Sequence, residues 1–217
     1  MIFRFALLAA ALAAYAAVGA AQQRNINFEL LAAVRAGAET TVRALLDQGA
    51  NPDSRNRLGD TPLNTAARDG NAALVKLLVE RGADVNLANL ARVTPLMSAA
   101  YGGHAEIVKL LLASKADLEA VDRVRKTAMV YAAGNGNAAC VQALLDAGVG
   151  VNARYANDDT ALMWAVAYGK ADNVKLLLAR GADLAARDDR GKTALVIATE
   201  QQQAEVAALL RAAGAKE

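Results

Sequence analysis

The chain has 217 residues, 55% apolar and 21% charged, with 24 basic and 22 acidic side chains giving a net charge of +2. Such a composition supports a packed core with a wetted surface, and it supplies no basic excess for a nucleic-acid backbone or an anionic membrane surface. One cysteine, Cys140, and one histidine, His104, exclude an intramolecular disulfide, a Cys-rich metal site and a two-histidine metal site.

After Arg4 the chain runs apolar for 17 residues, Phe5 to Ala21, then turns polar at Gln22, Gln23 and Arg24. The run closes on the small residues Val18, Gly19, Ala20 and Ala21, as a signal-peptidase site requires. Residues 1–21 therefore read as a secretory signal peptide cleaved after Ala20 or Ala21. The alternative is an uncleaved anchor, because a run of this length sits at the lower end of what spans a bilayer. An exported chain of bacterial style with a lone thiol suits a periplasmic or secreted location; with the segment retained, it becomes an inner-membrane anchored protein facing the periplasm.

From Thr61 onward one phrase returns five times, as TPLNTAA at Thr61, TPLMSAA at Thr94, TAMVYAA at Thr127, TALMWAV at Thr160 and TALVIAT at Thr193, each 33 residues after the last. A fixed period of that length marks a stacked solenoid, in which each unit buries its apolar face only against its neighbours. Each Thr suits a helix N-cap, and Pro62 and Pro95 suit the first helical turn, where an N–H would have no partner anyway. Nine residues after each of the first four threonines, Gly70, Gly103, Gly136 or Gly169 ends a short first helix.

A second helix follows, as in Ala72 to Glu80, with apolar stripes LVKLL at Leu74, IVKLLL at Ile107, CVQALL at Cys140, NVKLLL at Asn173 and EVAALL at Glu205. Turn signals then recur as GAN at Gly49, GAD at Gly82, KAD at Lys115, GVG at Gly148, GAD at Gly181 and GAK at Gly214. Extended residues beyond them, such as Val85 and Asn86, suit a β-hairpin or long turn that leads to the next Thr.

These residues resemble the ankyrin repeat family, whose pattern runs G-x-T-P-L-H-x-A-A, then a loop Gly, a leucine-rich second helix and G-A-D-V-N. The resemblance covers nearly all of the chain after residue 21. It implies an all-α repeat solenoid of stacked helix-turn-helix units with β-hairpin or turn connections. The ankyrin repeat domain then occupies 22–217, with an N-terminal cap at about 25–57, full repeats at about 58–90, 91–123, 124–156 and 157–189, and a C-terminal capping repeat at about 190–217.

Three departures from the family pattern stand out. The cap has Phe28 where the Thr belongs, and the last repeat has Gln202 where the loop Gly belongs; both suit terminal units wetted on one side. Two residues before the Thr, Gly59 and Gly191 keep the family's glycine, whereas Arg92, Arg125 and Asp158 replace it. A left-handed backbone costs a non-glycine residue about 1–2 kcal/mol. The middle tips are therefore expected to adopt another turn, with their arginines simply solvated.

The resemblance further implies a non-catalytic module that binds a protein partner on a concave face built from hairpin tips and first helices. Tip positions that the fold leaves free are Arg57, Leu90, Arg92, Val93, Arg123, Arg125, Lys126, Arg154, Asn157 and Asp159; those on first helices are Arg68, Tyr101, Asn135 and Tyr168. Tyrosine and arginine dominate interface hot spots, which singles out Tyr101 and Tyr168 flanked by Arg92, Arg123, Arg125 and Arg154. Tyr131 and Trp164 read as packing between helices, Met97, Met129 and Met163 as core filler, and Cys140 as buried and inert. His104 stands where the family's loop reads Gly-His and takes a structural role, while Asp158, Asp159, Asp188 and Asp189 read as solvated turn residues. No catalytic residue, cofactor, metal, nucleic acid or small-molecule substrate is expected, and a membrane only if the leader is retained. The alternative function is an inhibitor, immunity-type or protective accessory subunit of an exported enzyme or toxin.

Overall fold

The computed structural model describes residues 22, 23, 25–135 and 137–216. The segment 1–21 read as a signal peptide and the loop residue Gly136 lie outside them. The described residues form six helix pairs: α1 (25–35) with α2 (Glu39–Asp47), α3 (Pro62–Arg68) with α4 (Ala72–Glu80), α5 (Pro95–Gly102) with α6 (Ala105–Ala113), α7 (Ala128–Asn135) with α8 (Ala138–Asp146), α9 (Ala161–Ala167) with α10 (Ala171–Ala179), and α11 (Ala194–Glu200) with α12 (Ala204–Ala212). Among them no helix is long and apolar enough to cross a membrane.

The recurring threonines start the first helices as their chemistry requires. The N–H groups of Asn64, Met97, Val130, Met163 and Val196 donate to Oγ1 of Thr61, Thr94, Thr127, Thr160 and Thr193 at 3.0–3.4 Å, and all five threonines are buried. Each bond satisfies one of the N–H groups that a helix start leaves without an intrahelical partner. The short helices are therefore fixed at one end by sequence and along one side by packing.

Packing is continuous along the stack. Leu74, Ile107, Cys140, Asn173 and Val206 occupy one register of the second helices and are all essentially inaccessible. Burying a leucine or isoleucine there contributes roughly 1.5–3 kcal/mol, available only because the next pair covers it. Asn173 breaks the apolar run. Its Nδ2 donates to the carbonyls of Ala132 and Ala133 at 3.0 and 2.8 Å, tying α10 to the end of α7.

The connections are turns, with no strand among the described residues. An Asx side chain organises four of the five tips. Oδ1 of Asn56, Asn89, Asp122 and Asp188 accepts the N–H two and four residues ahead at 2.8–3.0 Å. Donors that a β-ladder would use are thus consumed locally. In the fourth tip Tyr155 stands in this register and has no such acceptor; the backbone forms a 3-10 turn over Ala156–Asp158, with Asn157 and Asp158 both at positive φ.

Arg92 and Arg125 do not adopt another turn. At φ 63° and 62° they hold the left-handed conformation that Gly59 and Gly191 hold at 77° and 76°. The Asx bonds of Asn89 and Asp122 dictate the turn whatever residue follows, so the arginines accept the strain.

Hydrogen bonds lace neighbouring tips together. Leu90 N–H donates to the Leu58 carbonyl, Arg123 N–H to that of Ala91 and Asp189 N–H to that of Asn157, at 3.0–3.1 Å. Arg55 and Arg154 bridge in the same way, to the carbonyls of Ala88 and Arg187. Lower down, Oδ1 of Asp53, Asn86 and Asn152 accepts the N–H of Asp84, Asp117 and Asp183. Between the third and fourth tips no such bond occurs among the described residues, because Glu119 and Gly150 replace the Asx pair there and Tyr155 has altered the tip.

Candidate protein-docking face

The first helices α5, α7 and α9 and the tips before them carry an aromatic row. Tyr101 and Tyr131 meet edge to face, with ring centroids 5.8 Å apart, and Trp164 stacks on Tyr168 at 6.1 Å with an interplanar angle of 13°. Lys126, from the third tip, joins the two pairs: its Nζ lies 5.8 Å from the Tyr131 centroid and 5.0 Å from that of Trp164. Arrangements of this kind are worth about 0.5–2 kcal/mol per contact through the ring quadrupoles. Tyr101 and Tyr168, at the two ends of the row, are 57% and 53% exposed.

Tyr131 and Trp164 pack against the core, as expected, and are at the same time half-buried members of this row. Tyr131 is pinned from below, its hydroxyl donating to Asp122 Oδ2 at 2.5 Å; burial first, then that carboxylate, raises its pKa well above the usual tyrosine value. Trp164 Nε1 is buried and has no hydrogen-bond partner among the described residues. Sequence position alone hides this role, because the fifth place of the repeated phrase holds Thr65, Ser98 and Ile197 in the other repeats.

Other tip and helix residues divide by what they already hold. Arg57, Leu90, Arg92, Arg123 and Arg125 are exposed, and the four arginine side chains make no hydrogen bond or ion pair among the described residues. Arg68 pairs with the buried Asp60 at 3.1 Å, Asn135 Nδ2 donates to the Tyr101 carbonyl at 2.6 Å, and Arg154 Nη1 donates to the carbonyls of Asp158 and Arg187. These three position neighbours. Val93 is half-buried against the core. Asn157 lies exposed in the 3-10 turn.

Asp159 is not a simply solvated turn residue. Burial, followed by the charges of Asp188, Asp189 and Asp158 against a partial offset from Arg190, pushes its pKa up to about 6. Asp188 itself is buried; burial pushes it upward, but hydrogen bonds from Lys192 and Arg190 overcome that and hold it below the ordinary carboxylate range. The same balance operates at Asp60, where bonds from Asn89, Arg68 and Asn56 outweigh burial.

His104 and the methionines serve the fold. His104 precedes α6, and its Nε2 lies 3.0 Å from the Arg68 carbonyl, so that nitrogen carries the ring proton. Met97, Met129 and Met163 are buried. No group of His, Cys, Asp and Glu among the described residues could hold a metal ion.

A solenoid of helix pairs, each packed on the next, defines a repeat-array protein. A family model described as ankyrin repeats in three copies matches residues 30–122 and 130–216. The chain belongs to the ankyrin repeat family, whose repeats generally mediate protein–protein interaction. No curated protein was found to match the chain.

Proposed function

We propose that the protein is a non-catalytic interaction module that docks a folded protein partner on the face made by its first helices and tips. One observation carries this reading: the row Tyr101, Tyr131, Lys126, Trp164 and Tyr168, in which aromatic rings and a cation from three consecutive repeats form one surface. Rigid aromatic side chains lose little conformational entropy on binding and bury much apolar area, so such rows concentrate binding energy. An interface of standard size takes about 800 Å² from each partner, an extent within reach of three repeats.

The leader-like composition of residues 1–21 supports an exported, periplasmic setting, and determining the N-terminus of the protein isolated from cells tests it. Affinity capture from a periplasmic extract tests the docking face. A protein retained by the native chain and lost by a folded Tyr101→Ala, Tyr168→Ala double variant supports this reading. Equal retention by both removes it. Whether the partner is an enzyme or toxin held inactive by this chain is decided by assaying that partner with and without it.

A further inference from the structure

A groove of about 650 Å³ lies between α1 and the first tip, away from the aromatic row. Its apolar wall includes Phe28 and Leu58, which remain 71% and 68% exposed. Every charged residue that lines it is an arginine: Arg35, Arg55 and Arg57. Ser54, only 8% exposed, contributes a buried hydroxyl with no hydrogen-bond partner among the described residues. Buried hydroxyls normally find a partner, so this one leaves a hydrogen-bonding position open in the groove wall.

The surface continues beyond the groove. Leu90 lies against the first tip, with its side chain and backbone N 2.8 Å from where a Cβ on Gly59 would stand, and Val124 is 64% exposed on the third tip. Between these apolar residues stand the unpaired Arg92, Arg123 and Arg125. The carboxylates within the first and third tips, Asp60 and Asp122, are buried and engaged by hydrogen bonds, whereas the fourth and fifth tips expose Asp158 and Asp189 beside Arg154, Arg187 and Arg190. A net charge near zero thus conceals a basic, apolar edge over the first three tips, beside two tips in which both signs are mixed.

We propose that the groove and the first three tips receive an extended acidic segment of the protein partner, with an apolar anchor between Phe28 and Leu58 and carboxylates on the tip arginines. This rests on reading the protein as an interaction module, and adds the chemistry of what is bound. Charge selects the occupant: the chain's own leader carries Arg4 and no carboxylate, the wrong sign for this edge. Arg92 and Arg125 also place long cationic side chains at tip positions whose left-handed backbone favours glycine. Complementary charge across such an edge steers association and rejects partners of the wrong sign.

The test uses a fluorescein-labelled peptide of Glu-Leu-Glu-Phe repeats, read by anisotropy at low and high salt, beside Lys-Leu-Lys-Phe and Glu-Ser counterparts. The native protein binds only the first, and more weakly as salt rises. Leu58→Ser loses affinity about tenfold or more, as does Arg92→Gly with Arg125→Gly, a pair that keeps the turn and so should fold at least as well. The Tyr101→Ala, Tyr168→Ala variant binds the peptide unchanged. Equal binding of the lysine peptide, no binding of the acidic one, or full affinity in the glycine pair overturns the proposal. So does loss of binding in the tyrosine variant, which would put the segment on the helix face. Failure here with partner capture still dependent on Tyr101 and Tyr168 leaves the interaction module standing without this edge.

Discussion

Lys126 holds its ammonium 5.0 Å from the ring centroid of Trp164, the one tryptophan in the chain. The contact sits at the middle of the docking row, so the indole is a built-in reporter of that surface. Lys126→Ala is expected to shift Trp164 emission while lowering unfolding free energy by about 1–2 kcal/mol, the worth of its two ring contacts. Steady-state fluorescence and urea titration of the same samples check both halves.

Tyr101→Ala with Tyr168→Ala should weaken partner binding by about 2 kcal/mol or more and cost only about 1–3 kcal/mol of stability, the worth of the two ring pairs, because both rings are half or more exposed. Calorimetry with the captured partner measures the first quantity and a thermal scan the second. A large fall in Tm would make these residues structural instead.

Opposite signs are expected for substitutions in one register. Arg92→Gly removes a left-handed strain of about 1–2 kcal/mol and adds about 0.5–1 kcal/mol of unfolded-chain entropy, for a net gain of up to about 1 kcal/mol. Gly59→Ala meets the same strain and a Cβ 2.8 Å from the Leu90 backbone N, so it should cost about 2 kcal/mol or more. Denaturant unfolding of the two variants separates them.

The raised pKa of Asp159 has a definite consequence for pH dependence. Between its ordinary value near 3.8 and about 6, the unfolded chain has released this proton while the folded protein retains it, so this residue makes stability fall as pH rises through that window. Asp60 and Asp188, held low, act oppositely and withdraw their stabilisation as pH falls below the ordinary range. Asp159→Asn should therefore flatten the decline between pH 4 and 6 and stabilise the protein at pH 7, as measured by unfolding titrations across that range.

Asn173→Ala leaves the carbonyls of Ala132 and Ala133 without their side-chain donor and opens a small cavity, a loss of about 2–3 kcal/mol. Cys140 offers an independent check, since burial pushes its thiol up to about 11. Alkylation of Cys140 should be negligible in the native protein and should quicken in Asn173→Ala in step with its unfolding.

The period of 33 residues revealed the stack, because Thr caps, loop glycines and leucine stripes all act within one unit and repeat with it. The Asx residues that organise the tips share that period at Asn56, Asn89, Asp122 and Asp188, and the same register contains Tyr155, the source of the one irregular tip. That signal was legible and decides why Arg92 and Arg125 keep the glycine turn. The aromatic row was only half legible. Tyr101 and Tyr168 follow from their free positions, whereas Tyr131 and Trp164 pack against the core as expected and also join the row through Lys126, a contact that only the assembled stack brings together.

Between the third and fourth tips the lacing is missing among the described residues, while helix packing and the bonds from Asn173 still hold the units beneath. Bending about that seam disturbs no tip-to-tip bond, whereas bending at the junctions on either side must break several. The tips thus form two laced groups, one to three and four to five, joined at the seam by helix packing, by Asn173 and by Lys126 over Trp164. The basic edge lies wholly on the first group, so a change of angle at that seam moves it as one set relative to the mixed charges of the other.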